Sequence, residues 1–138
     1  TLRNSSAASD VYKRQGEVIA WGQEELGGDA SQIVYDASSP FTQIYSTTTA
    51  FAAITNDGSV STWGSVNDGG DSSSVASKLS NVASISSTSS AFAALLENGS
   101  VVTWGNFTSG ADSGSVALQL NGLTRWNKFF LMTTLLQR

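Results

Sequence analysis

Apolar and polar positions along the chain recur with a period of about forty residues. The small, apolar run Ala50–Thr55 returns as Ala91–Leu96, and in each copy a Trp-Gly pair ends the segment that follows. Trp63 and Trp104 are 41 residues apart, and Trp21 precedes Trp63 by 42. Internal periods of this length are typical of arrays of small supersecondary units. The chain is therefore interpreted as about two and a half tandem repeats of roughly 41 residues.

Each repeat is predicted to be rich in β-strand. Ala50–Thr55 and Ala91–Leu96 are nearly continuous apolar runs, which are typical of strands covered on both faces. Asp-Gly and Asn-Gly pairs, ending at Gly58 and Gly99, favour a hairpin after each run because both residue types tolerate positive φ. The segment Val75–Leu79 is predicted to be either a fourth, outer strand or a short helix.

A hairpin of this size cannot bury both of its faces, so successive units are expected to stack on one another. A spacing of about 40–50 residues with a Trp-containing strand is typical of propeller blades, and a closed ring needs about four to eight of them. The predicted fold class is therefore all-β, an incomplete β-propeller. The structural repeat positions are predicted to be Trp21, Trp63, Trp104, Gly22, Gly64, Gly105, Gly58 and Gly99.

The two ends of the chain depart from the repeat. Ser5–Gln15 resembles the translation of a transposase adapter used in sequencing libraries, so residues 1–15 are expected to be disordered and to lie outside the repeats. The repeat pattern stops after Thr124, and a reading one base out of frame restores a sequence similar to another unit. Residues 125–138 are therefore expected to be a frameshifted tail, and the tandem repeats are assigned to residues 16–124.

Composition narrows the chemistry that is possible. The 138 residues include no cysteine and no histidine, which removes thiol nucleophiles, Ser-His triads, disulfides and nearly every zinc site. The net charge is −4 and no run of Lys or Arg occurs, so nucleic-acid binding is not expected. No apolar run reaches the roughly 18–20 residues of a membrane helix. The chain is predicted not to be an enzyme and to use no cofactor or metal.

Residues Ala91–Gly105 resemble the repeats of the regulator of chromosome condensation superfamily, in which a small apolar strand, an acidic-Gly turn and a Val-x-x-Trp-Gly strand follow one another. Ala50–Gly64 and Gly16–Gly22 resemble the same pattern, and the latter is also similar to propeller-type β-lactamase inhibitory proteins. The resemblance implies propeller blades. Ser46–Thr49 stands where the family usually has Gly and His, and no residue matches the family's nucleotide-exchange site. The turn at residues 69–72, Gly-Gly-Asp-Ser, is more similar to repeats of large microbial surface or adhesin-like proteins.

Two rows of repeated residues have alternative interpretations. The tryptophan row is either a platform on which a ligand stacks or packing between units, and its recurrence at the period favours packing. Asp29, Asp71 and Asp112 each follow a turn and either bind calcium or close Asx turns. A single carboxylate in each turn favours the Asx turn.

The loop after each Trp-Gly pair differs between units, and variable loops on a repeated frame are where partners usually bind. The predicted contact residues are Glu24, Glu25, Asn67, Asp68, Phe107 and Thr108. The predicted function is a non-catalytic repeat module for protein binding, adhesion or scaffolding. It is expected to be a fragment of a larger microbial protein, with an extracellular or cell-surface location favoured. Its partners would be further repeats of the parent chain and an unidentified protein or surface ligand. The alternative is part of an intracellular propeller that regulates a small GTPase or another protein.

Overall fold

The computed structural model describes residues 2–5, 9–14 and 16–112, which form three antiparallel sheets of three strands each. This described part consists of strands, turns and short 3-10 helices, which confirms the prediction of an all-β chain. The strands are β1 (Leu2–Ser5), β2 (Ser9–Arg14), β3 (Glu17–Gly22), β4 (Phe41–Ser46), β5 (Ala50–Thr55), β6 (Val60–Gly64), β7 (Val82–Ser87), β8 (Ala91–Leu96) and β9 (Val101–Gly105). The 3-10 helices are Glu24–Leu26, Val66–Asp68, Ser73–Lys78 and Phe107–Ser109.

Each sheet is one repeat unit. Unit 1 ends at residue 40, unit 2 spans residues 41–81, and unit 3 begins at residue 82. The strand order is sequential in every sheet, so that the middle strands of units 2 and 3 are β5 and β8. Both middle strands are buried along almost their whole length, as the continuous apolar runs predict.

The hairpin turns that join β5 to β6 and β8 to β9 share one geometry. The amide of Gly58 donates to the carbonyl of Thr55 at 3.0 Å, and the amide of Gly99 donates to that of Leu96 at 2.9 Å. Both glycines have positive φ, 82° and 86°. A turn closed by a residue with positive φ is a common three-residue hairpin connection, and glycine adopts it without steric cost.

Hydrogen bonds between backbones join each unit to the next one at the hairpin glycine. The amide of Phe41 donates to the carbonyl of Gly16 at 3.0 Å, and the amide of Val82 donates to that of Gly58 at 2.9 Å. A Cβ atom on Gly58 would lie 2.9 Å from the backbone nitrogen of Val82, the first residue of unit 3. The hairpin glycine is therefore needed for the approach of two units as well as for its turn.

The core lies between the sheets, because the middle strand of unit 2 contributes to both neighbours. Ala50, Ala52 and Ile54 belong to the cluster shared with unit 3. Phe51 and Ala53 belong to a second cluster, against which residues of unit 1 pack. The alternation of side chains along a strand sends successive residues to opposite faces, which explains why a strand with apolar residues at nearly every position is needed here.

Strands β1 and β2 lie within residues 1–15, the segment that the sequence predicts to be disordered and outside the repeats. β1 pairs with β2, and β2 pairs with β3 from Ser9 opposite Gly22 to Arg14 opposite Glu17. These two strands take the positions that β4 and β5 hold in unit 2. Without β2 beside it, β3 would have an unpaired row of backbone donors and acceptors. In addition, Val11 and Tyr12 are residue types that favour a strand. The origin of the segment in an adapter stays a prediction.

The structure of the segment after β6 in unit 2 decides between the alternatives left open at Val75–Leu79. It is a 3-10 helix, Ser73–Lys78, and no fourth strand follows β6 within unit 2. The predicted frameshifted tail at residues 125–138 lies outside the described residues, as do residues 113–124 of the assigned repeat range.

Candidate binding surface: the turn row

Three short turns repeat at one edge of the stacked sheets, each directly after a Trp-Gly pair. We call them the turn row; it consists of the 3-10 helices Glu24–Leu26, Val66–Asp68 and Phe107–Ser109. Each helix ends at a glycine with positive φ, and these are Gly27 (92°), Gly69 (104°) and Gly110 (109°). An extended residue before each helix accepts backbone hydrogen bonds across the turn, so the three loops have one conformation although their sequences differ.

Close backbone approaches explain why the glycines recur. The turn of unit 2 folds back on its own Trp-Gly pair, and a Cβ atom on Gly70 would lie 2.3 Å from the carbonyl oxygen of Gly64. Gly64 itself has a φ of 99°, and a Cβ atom there would lie 2.6 Å from the carbonyl oxygen of Thr49. Gly22 and Gly105 also have positive φ. The Trp-Gly glycines are thus required by the local backbone path.

Each turn of the row also supports the tryptophan of the next unit. The indole Nε1–H of Trp63 donates to the carbonyl of Gly27 at 3.2 Å, and that of Trp104 donates to the carbonyl of Gly69 at 3.1 Å. Both indoles stack on the phenylalanine opposite them in the sheet, with ring centroids 5.4 Å apart in unit 2 and 5.3 Å apart in unit 3.

The three tryptophans differ in exposure. Trp63 is 5% exposed and Trp104 is 3% exposed, whereas Trp21 is 44% exposed. A buried indole whose N–H is bonded to the backbone offers no face on which a ligand could stack. In units 2 and 3 the structure therefore places the tryptophan in packing between units.

Most of the predicted contact residues lie on the surface of the turn row. Glu24, Glu25, Asn67, Phe107 and Thr108 are all exposed. They occupy the first and second positions of their helices. The variable loop positions are thus solvent-accessible on a fixed frame.

Asp68 is different, because its carboxylate is used inside the molecule. It accepts hydrogen bonds from Thr49 Oγ1 at 2.6 Å and from Ser65 Oγ at 3.2 Å. The bond from Thr49, followed by those from Ser90 and Ser65, lowers the pKa of this carboxyl below its ordinary value. Because its carboxylate is engaged by Thr49 and Ser65 of its own unit, Asp68 is a poor candidate for a partner contact.

Two buried or half-buried threonines hold the turn row against the sheets. Thr47 Oγ1 accepts from the amide of Ala50 at 3.0 Å and donates to the carbonyl of Asp68 at 3.1 Å. Thr88, one period later, donates to the carbonyl of Ser109 at 3.0 Å. Because these bonds are repeated, the turns are positioned by side chains as well as by their own backbone.

The sequence analysis did not identify Val66, which is an exposed apolar residue of the turn row. Val66 is 67% exposed and Phe107 is 76% exposed, and both are the first residue of their helix. Glu24 holds the same position in unit 1. Aligning the loops from the preceding Trp-Gly pair would have identified Val66, since it follows Gly64 by the same two residues that separate Phe107 from Gly105.

The charged residues of the repeats are almost all acidic. Residues 16–112 contain ten Asp or Glu residues and a single basic residue, Lys78, which gives a formal charge of −9. The other six basic residues lie in the two ends, which is why the whole chain shows only −4. Glu24 and Glu25 belong to the turn row, and Asp29 and Asp71 follow it.

The repeated aspartates after the turns act on their own backbone. Asp29 Oδ1 accepts from the amide of Ser31 at 2.7 Å, and Asp71 Oδ1 accepts from that of Ser73 at 2.8 Å. These backbone bonds are the main cause that lowers the pKa of both carboxyl groups. They are Asx turns, in which the side chain mimics a backbone turn. Within the described residues, no group of three or more Asp, Glu, His or Cys side chains could hold a metal ion.

A separate polar cleft of about 410 Å³ opens where the hairpins of units 2 and 3 meet. Asn56, Asp57, Asn81 and Glu97 line it. The bond from Thr55 Oγ1, together with that from the amide of Ser59, holds the pKa of Asp57 well below its ordinary value. The carboxylate is thus already used to close its hairpin.

No protein-family model and no curated protein matches the chain. Within the part that the structure describes, no helix has the length and apolar character needed to cross a membrane.

Proposed function

We propose that this chain is a non-catalytic repeat module that binds a protein partner through the turn row. In this proposal the three sheets are blades of an incomplete β-propeller within a larger microbial protein, and binding serves adhesion or scaffolding. The partner contacts the exposed first positions of the helices, which are Glu24, Val66 and Phe107.

The observation that carries the proposal is the exposure of two large apolar side chains at one repeated position. Val66 and Phe107 project from adjacent turns whose backbones are held by glycines, by Thr47 and by Thr88. Variable side chains on a rigid, repeated frame are the usual arrangement of a binding surface. An aromatic residue that is already ordered contributes contact area at small entropic cost.

The charge of the repeats indicates the chemistry of the partner. A formal charge of −9 over residues 16–112 repels acidic surfaces and attracts basic ones. The partner is therefore a protein or peptide segment that presents Lys or Arg beside an apolar side chain. Association with it should become slower and weaker as salt is raised.

The experiment is a selection of phage-displayed peptides on the whole chain, followed by affinity measurement with purified peptides. Enriched peptides are expected to carry basic and aromatic residues. The double variant Val66→Asp/Phe107→Asp should bind them about tenfold more weakly or worse, because loss of a central apolar contact costs about 2 kcal/mol or more. A rise in salt should reduce the association rate.

Val34→Asp provides the matched control, because Val34 is an exposed valine in a loop of unit 1 outside the turn row. It adds one negative charge outside the row, where the double variant adds two within it, so its affinity for basic peptides should be no lower than that of the parent. Peptides that bind the double variant as tightly as the parent would contradict the proposal. A selection that enriches no peptide would also contradict it.

A further inference from the structure

The face of β3 that points away from unit 2 carries two exposed apolar side chains beside Glu17. Along this strand, Val18 and Ala20 pack against the core shared with unit 2. Ile19 and Trp21 alternate with them, so they lie on the opposite face, and both are exposed. This face is a different surface from the turn row.

The other two units show what covers the same positions. Trp63 is covered by the glycine turn of unit 1, and Trp104 is covered by the glycine turn of unit 2, each through an indole bond to a glycine carbonyl. Val102, which holds the position of Ile19 in unit 3, is buried in the cluster shared with unit 2. The covering residue precedes the tryptophan by 36 or 35 positions.

We propose that the Ile19–Trp21 face is a binding surface for one further unit of the same repeat, joined ahead of unit 1, an inference that rests on the proposed function of the chain as a module of a larger repeat protein. The turn of that unit lies over Trp21, and the carbonyl of its helix-ending glycine accepts a hydrogen bond from Trp21 Nε1–H. The contact repeats the indole-to-glycine bond of the two interfaces inside the chain. It lacks their ring stack, because Asp10 lies opposite Trp21 where a phenylalanine lies opposite Trp63 and Trp104.

A second copy of the chain is the weaker candidate for this position. Stacking of two copies in the same direction would need the outward face of the last unit to be free. On that face Ala93 and Leu95 are buried. A covalently joined repeat needs no free face in unit 3 and meets Trp21 at the high effective concentration of an intramolecular contact.

The register of the first sheet shows how to build the test on the full chain. Leu2 lies opposite Lys13, and Gln43 lies opposite Ile54, in corresponding positions of β1 and β4. A copy of residues 41–82 placed directly before Thr1 therefore adds one unit in the repeat's own spacing. The environment of Trp21 is read as the difference between each protein and its Trp21→Phe variant, by emission wavelength and by quenching with acrylamide.

In the extended chain, the Trp21 signal should shift to shorter wavelength and its quenching should fall severalfold. The matched control carries Gly69→Val in the added copy alone. Valine is disfavoured at a φ of 104°, so the added turn should be displaced and Trp21 should remain open to the quencher.

Two results would overturn the proposal. One is unchanged quenching of Trp21 in an extended chain whose added unit is protected from hydrogen exchange. The other is protection of Trp21 in the original chain that increases with protein concentration, which would assign the face to a second copy.

Discussion

Replacement of Trp104 by alanine is expected to lower the free energy of unfolding by about 3–5 kcal/mol, the usual cost of removing a large buried aromatic side chain. The indole is nearly inaccessible, stacks on Phe92, and bonds to the carbonyl of Gly69 in the preceding unit. Since a domain of this size is stable by only about 5–15 kcal/mol, the variant should be close to unfolded in mild denaturant. Urea unfolding measured by circular dichroism gives the value.

Trp21→Ala is the control within the same chain, because it removes the same residue type from the same register position. Its side chain is exposed, so its effect should be far smaller, about 1 kcal/mol or less. Trp63→Ala should resemble Trp104→Ala. If Trp21→Ala and Trp104→Ala lowered the free energy of unfolding equally, burial between units would not be what determines how much each tryptophan stabilises the chain.

Phe92→Ala is expected to lower the free energy of unfolding by roughly 3–5 kcal/mol, as much as Trp104→Ala. Phe92 is fully buried in the middle strand of unit 3 and stacks on Trp104. A Cβ atom on Gly69 would lie 2.6 Å from its ring, so Phe92 also forms the surface on which the turn of unit 2 rests. Its removal leaves a cavity between two units, and unfolding by urea should show a lower midpoint.

Phe107→Ala removes an identical side chain from an exposed position in the turn row. It should change the free energy of unfolding by no more than about 0.5 kcal/mol, as surface substitutions usually do. Comparison of Phe92→Ala with Phe107→Ala distinguishes a phenylalanine that stabilises the fold from one that is available to a partner. Comparable destabilisation by the two variants would contradict both the packing of Phe92 and the assignment of Phe107 to a free binding surface.

Much of the repeat could be predicted from local sequence. The strand bounds of β5 and β8 follow from uninterrupted apolar runs, and the hairpins follow from Asp-Gly and Asn-Gly. These features depend on backbone preferences and on burial of both faces, which a single unit already encodes. The all-β class followed from them.

The remaining features depend on neighbours that a local pattern does not reveal. Three tryptophans share one register, yet only two are buried, because burial requires the turn of a preceding unit. The sequence places Asp68 in a loop open to a partner, but in the structure Thr49 and Ser65 donate hydrogen bonds to its carboxylate. The strands β1 and β2 have no repeat sequence, and they pair because β3 offers an unpaired edge.

The stacking of units through the tryptophan row is tested most directly by hydrogen exchange of the indole Nε1–H groups, followed by NMR and assigned with single Trp→Phe variants. The signals of Trp63 and Trp104 are predicted to exchange slowly, because each proton is buried and bonded to a glycine carbonyl of the preceding unit. The signal of Trp21 is predicted to exchange rapidly, since its indole is exposed. Rapid exchange at both Trp63 and Trp104 in the folded protein would contradict the account.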